Sequence, residues 1–109
     1  GWHLPSSAEW ATLETTADGA SIAGTKLKSV SGWTAGGDTE TDAYGFSALP
    51  GGYYSASGFD NALYLGYWWS ATEDGATYAY YRNMYYSLAN VYAYIYNKYY
   101  GFSVRCLQD

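Results

Sequence analysis

YAYYRNMYYSLANVYAYIYNKYY, residues 78–100, holds ten tyrosines in 23 positions, with Ala, Asn and Ser in most of the gaps and no acidic side chain. Successive residues of a strand point to opposite faces. Residues 91–96 therefore divide cleanly, Val91, Ala93 and Ile95 falling on one side and Tyr92, Tyr94 and Tyr96 on the other. Aromatic and β-branched residues suit a pleated, half-buried surface. The stretch predicts a sheet with one aromatic face.

Downstream of Gly66, short aromatic and β-branched runs are separated by Glu73-Asp74-Gly75, Ser87-Leu88-Ala89-Asn90 and Tyr100-Gly101, a spacing that predicts about four strands. In the last of them Phe102, Val104 and Cys106 form an expected buried row opposite Ser103 and Arg105. Between Gly32 and Gly66 the chain is rich in Gly, Ser, Asp and turn sequences such as Leu49-Pro50-Gly51-Gly52, which predicts a long loop region with little regular structure. Further upstream, Ser6 or Ser7 caps a helix through AEWATLETTA, with Pro5 before the cap, Glu9 in the first turn, and Trp10 and Leu13 three apart. A second short helix is expected within Ser21–Ser29 around Ile22 and Leu27, weakened by Gly24. The class is α+β.

Tyrosine offers a large, stiff, amphipathic contact surface at low rotamer cost, and Ser, Asn and small residues adapt its spacing, as in antibody paratopes. Cross-strand pairing and core filling account for about a third of the ten. The rest exceed what a 109-residue core can hold beside Trp2, Trp10, Trp33, Trp68, Trp69, Phe46, Phe59 and Phe102. Exposed aromatic rows of that size mark interaction sites.

Composition narrows the partners. The chain, 1–109, has the length of one domain. Its formal charge is −5, and within residues 78–100 only Arg82 and Lys98 are charged. No cluster of cations is present to displace counterions, so nucleic acid is not an expected partner. No apolar run approaches the roughly 18 residues of a membrane span, and no basic-then-apolar leader opens the chain at Gly1. The expectation is a soluble, mature or trimmed chain without membrane insertion.

Catalytic constellations are missing. His3 is the single histidine, and its place in GWHLP reads as structural hydrogen bonding. Ser-His-Asp chemistry has no nucleophile elbow, and zinc would have one His and one Cys. Asp38, Glu40 and Asp42 alternate in the loop region and read as a solvated acidic stretch rather than a calcium site. No enzyme, metal or cofactor is expected. Cys106, the single cysteine, is either a buried free thiol or one half of a pair whose partner lies elsewhere.

The ordered set GWHLPSSAEWATL, AGTKLKS, SGW, YGFSALPGGY, GYWWSATE, AYYR and NKYYGFSVRC spans nearly the whole chain. It resembles the Fibrobacter succinogenes major paralogous domain, a module of bacterial surface and secreted proteins with a C-type lectin-like fold. The resemblance extends to the variable domains of diversity-generating retroelement target proteins, in which template adenines are randomised and AAC codons become NNC. Between Thr77 and Tyr100 only Met84 and Lys98 fall outside the NNC set. Family members usually carry a cysteine just before the GWHLP-like motif that could pair with the one in SVRC. The EPN, QPD and WND signatures of calcium-dependent sugar binding are absent.

That resemblance implies two short helices, a long loop region and small antiparallel sheets. It assigns Ala79, Tyr80, Arg82, Met84, Tyr86 and Val91 to framework, and Trp68 and Trp69 to core and scaffold. Tyr78, Tyr81, Asn83, Tyr85, Ser87, Asn90, Tyr92, Tyr94, Tyr96, Asn97, Tyr99 and Tyr100 are the expected contact residues, with Ile95 open to either set. The implied function is recognition of a protein ligand outside the cell or at its surface. Two alternatives stand beside it: a metal-independent carbohydrate-binding module, and a packing domain of a surface protein. Ligand identity and oligomeric state are not legible in the sequence.

Overall fold

The computed structural model describes residues 1–109. Helix α1 (Ser7–Thr16) begins where Ser6 leaves helical geometry: its side chain accepts from the Glu9 N–H while Glu9 accepts from the Ser6 N–H. Two of the helix's orphan donors are thereby satisfied. The buried face of α1 carries Trp10 and Glu14. Helix α2 (Ala23–Leu27) is one turn long and buries Ala23, Gly24 and Leu27. Ile22 is exposed rather than apolar packing for α2, because it sits at the cap with a non-helical backbone.

Seven strands follow the chain as β1 (Trp2–His3), β2 (Tyr53–Ser55), β3 (Gly58–Asp60), β4 (Leu65–Asp74), β5 (Tyr78–Tyr85), β6 (Val91–Asn97) and β7 (Leu107–Gln108). Strands β4, β5 and β6 form an antiparallel sheet in that order. β1 pairs with β7, closing the two ends of the chain on each other, and β2 pairs with β3. This small hairpin lies inside the stretch expected to be loop. It docks through single bridges from Gly52 to Gly66 and from Tyr54 to Gly101.

One side of the β4–β6 sheet is covered by α1. Trp68, Met84 and Val91 meet Trp10, Leu27 and the small Ala17, Ala23 and Ala48 in one core, with Leu13, Trp33 and Phe46 packed against it. Arg82 also points to this side, where its guanidinium pairs with Glu14 at 2.5 Å and donates to the Ser7 backbone and hydroxyl oxygens at 2.9 and 3.1 Å. A buried charge needs such full pairing.

Residues 101–106 differ from the expected last strand. Gly101 and Ser103 each make one bridge, to Tyr54 and to Trp68, so the segment crosses between two sheets instead of running along one. Its side chains do not alternate against a single core: Phe102 is half-buried while Val104 and Cys106 are exposed. Cys106 is a free, exposed thiol, so the buried-thiol alternative does not hold. Trp2 and Phe59 are likewise outside the core, at 67% and 85% exposure, each on a two-stranded ribbon, with Phe59 against the Tyr54 ring at 4.9 Å.

Candidate functional site: a tyrosine face and its crown

Register decides which rings meet. Tyr67 pairs with Asn83 and Asn83 with Tyr92; Trp69 pairs with Tyr81 and Tyr81 with Tyr94; Ala79 pairs with Tyr96. Paired residues share a face. The side of the sheet away from α1 therefore carries Tyr67, Trp69, Tyr81, Asn83, Tyr85, Tyr92, Tyr94 and Tyr96. Tyr92 and Tyr94 stack with ring centroids 5.9 Å apart and planes 11° from parallel, and Tyr85 meets Tyr92 edge to face at 5.7 Å.

At one end of this face five tyrosines close into a circuit. Tyr53 meets Tyr67 at 5.4 Å, Tyr67 meets Tyr81 at 5.8 Å and Tyr81 meets Tyr96 at 6.3 Å. Tyr96 then meets Tyr100 at 4.4 Å, and Tyr100 returns to Tyr53 at 6.0 Å. Phe102 contacts three of these rings, 5.0 Å from Tyr67, 4.9 Å from Tyr81 and 6.4 Å from Tyr100. These six rings and Asn61 line an open cleft of about 190 Å³. Edge-to-face and offset contacts at such distances suit the aromatic quadrupole.

Tyr53, Tyr67, Tyr81 and Tyr100 resist ionisation. Burial, with the neighbouring tyrosines Tyr85 and Tyr81 behind it, pushes Tyr67 up to about 12. Burial and the tyrosines around it also raise Tyr81, and burial together with the Asp60 carboxylate raises Tyr53. The adjacent Tyr96 phenol raises Tyr100.

The expected contact residues are distributed unevenly. Tyr81, Asn83, Tyr85, Tyr92, Tyr94, Tyr96 and Tyr100 gather on the face or its crown, but Tyr81 and Asn83 are 8% and 1% exposed and form its floor. Tyr78 has the opposite parity and lies, exposed, on the α1 side of the sheet near Tyr80 and Ile95. Ser87 and Asn90 belong to the β5–β6 turn, and the Asn97 side chain accepts from the Tyr99 N–H at 2.9 Å. Tyr99 is 90% exposed beyond β6. Of the framework set, Arg82, Met84, Val91 and Ala79 are buried, Tyr86 packs on Tyr64 at 5.4 Å, and Tyr80 is partly exposed where α1 no longer covers the sheet.

Sequence reasoning missed Tyr53, Asn61, Tyr67 and Phe102 as members of the site, and placed Trp69 in the core with Trp68. Trp68 is buried in the core, whereas Trp69 is half-buried on the tyrosine face, 4.2 Å from Phe102. The alternation of GYWW carried a signal for Tyr67 and Trp69. Nothing in the sequence tied Tyr53 or Phe102 to them.

The loop acids are engaged locally. Asp38 accepts from the Thr25 hydroxyl at 2.6 Å and faces the Lys28 ammonium at 3.0 Å, and Asp42 accepts from the Ser47 N–H and hydroxyl. His3 lies between Asp109 and Glu9 at 2.6 and 3.0 Å, and these contacts raise its pKa. No helix is long and apolar enough to cross a membrane.

No curated protein and no solved structure matches this chain. The Fibrobacter succinogenes major domain profile matches residues 1–108, end to end with the fold that presents the tyrosine face, and the chain belongs to that family.

Proposed function

We propose that this domain is a non-enzymatic recognition module that binds a protein ligand through its tyrosine face, outside the cell or at its surface, on a C-type lectin-like scaffold. The observation that carries the reading is the concentration of aromatic side chains on one sheet face, with Tyr94 and Tyr96 about half exposed at 50% and 43% on an edge strand. Large rigid rings bury area at low entropic cost, and their hydroxyls add directional bonds at the rim. Each of the five cations has a partner within the chain: Lys26 with Asp18, Lys28 with Asp38, Arg82 with Glu14, Lys98 with Glu73, and Arg105 with the Phe46 carbonyl oxygen. That distribution speaks against a nucleic-acid partner.

The face is also read as diversified by a retroelement. Every tyrosine and asparagine of the face between Thr77 and Tyr100 belongs to the NNC set; of the two residues outside it, Met84 is buried in the core and Lys98 pairs with Glu73 past the end of β6. Two experiments test the reading. Sequencing the surrounding DNA should find a near-copy of the segment encoding 78–100, differing at adenines, beside a reverse transcriptase gene. Screening the domain against displayed surface proteins should yield a binder that the Tyr92, Tyr94, Tyr96→Ala variant no longer captures. A hit on a glycan array that survives chelator, with no protein hit, would replace the protein ligand by a sugar.

A further inference from the structure

The crown differs from the rest of the face. Tyr92 and Tyr94 lie as an open row, whereas Tyr53, Tyr67, Tyr81, Tyr96, Tyr100 and Phe102 line a cleft. At about 190 Å³ the cleft is well below the 300 Å³ at which drug-sized pockets begin. It fits the head of one side chain.

We propose that this crown is a cage for a single organic cation, the ammonium or guanidinium of a lysine or arginine on the protein ligand. The proposal rests on reading the tyrosine face as a protein-binding surface. Aromatic faces carry negative quadrupole potential, and several rings around one point attract a cation that has shed part of its water. The charges on the page agree. No cation of this chain lines the cleft, each being paired elsewhere. A carboxylate stands at the cleft's edge: Asp60, whose Oδ2 lies 3.4 Å from the Tyr53 hydroxyl. The Tyr53 hydroxyl is turned to Asp60 and that of Tyr100 to Tyr96, so the ring faces are what the cleft offers a cation. An anionic group would meet Asp60, a chain of net charge −5 and no counter-cation. A sugar ring would find one amide, Asn61, and otherwise rings and phenols.

The test titrates the intact domain, followed by NMR of the aromatic ring protons. The probes are choline and Nα-acetyl-arginine amide as cations, 3,3-dimethylbutan-1-ol as the neutral isostere of choline, and methyl β-glucoside as the sugar. The cations should shift the rings of Tyr96, Tyr100 and Phe102, with the isostere about tenfold weaker. Tyr100→Leu should abolish that preference while the remaining spectrum stays folded, and Tyr100→Phe, which keeps the ring face, should retain it. Equal response to choline and its isostere, a glucoside response in place of the cation response, or no response to any probe would each overturn the cage. Those results leave protein capture through Tyr92 and Tyr94 standing if it is observed. A cation response in a domain that captures no protein would instead remove the reading of the face and leave the cage.

Discussion

The Lys28 ammonium donates to the Tyr85 carbonyl oxygen at 2.7 Å across 57 residues of sequence, and it does so from a fully buried position. A second bond at 2.7 Å goes to the Leu88 carbonyl oxygen, and Asp38 balances the charge at 3.0 Å. One side chain therefore ties the end of β5 to the middle of the β5–β6 turn, from which the rows of the tyrosine face run. Lys28→Met removes the charge and leaves two carbonyls and a carboxylate without their partner. Breaking a buried pair by removing one member costs about 3 kcal/mol. Urea unfolding should show a loss of that size; a midpoint within error of the parent would mean that the turn stands without Lys28.

Gly24 in α2 makes the same point with backbone. A Cβ there would lie 2.6 Å from the Asn90 carbonyl oxygen and 2.7 Å from that of Ala89. Helix propensity alone would favour alanine by about 1 kcal/mol. Overpacking against rigid backbone costs about 1–3 kcal/mol, and the clash should win. Gly24→Ala should lower the melting temperature and shift the amide signals of Ala89 and Asn90.

Those contacts show where sequence was informative and where it stopped. Local signals were legible: Ser6 and Glu9 gave the start of α1, and the alternation through Val91–Tyr96 gave both faces of β6. What failed was non-local. A lysine reads as a surface residue, and nothing near Lys28 announces that Tyr85 and Leu88 enclose it. Gly24 read as a defect in a helix because its neighbour, the turn at Ala89, is 65 residues away. The crown needs the pairing of Trp69 with Tyr81, a register shift between Trp69 and Glu73, and the crossing of 101–106 from one sheet to another. Short-range patterns encode none of these.

Tyr81 and Tyr94 are cross-strand partners with opposite roles. Tyr81 is 8% exposed and touches Tyr67, Trp69, Tyr94, Tyr96 and Phe102, whereas Tyr94 is 50% exposed. Removing a buried aromatic ring costs about 3–5 kcal/mol, while substitutions at an exposed site stay below about 1 kcal/mol. Tyr81→Ala should therefore lose most of the stability of a domain this small, and Tyr94→Ala should lose ligand capture with its melting temperature nearly kept. Equal destabilisation by both would show that the outer row is scaffold.

Alkaline pH should unfold the domain through the same rings. In the unfolded chain tyrosines ionise near 10, while Tyr67 is held up to about 12 and Tyr81, Tyr53 and Tyr100 are also raised. The folded state thus binds more protons than the unfolded state above pH 10, and stability falls as pH rises wherever that holds. Below the unfolded value both states carry the proton, so this contribution is complete at neutral pH. It is lost as pH climbs through the folded values. Urea midpoints should be level up to about pH 9 and decline between about pH 10 and 12, with phenolate absorbance at 295 nm appearing late and together with unfolding. Tyr67→Phe has no phenol to ionise at the most shifted position, so its midpoint should fall less steeply over the same range. A parent protein whose tyrosines all titrate near 10 while folded would show that the crown is open to water and that its rings are not packed as a unit.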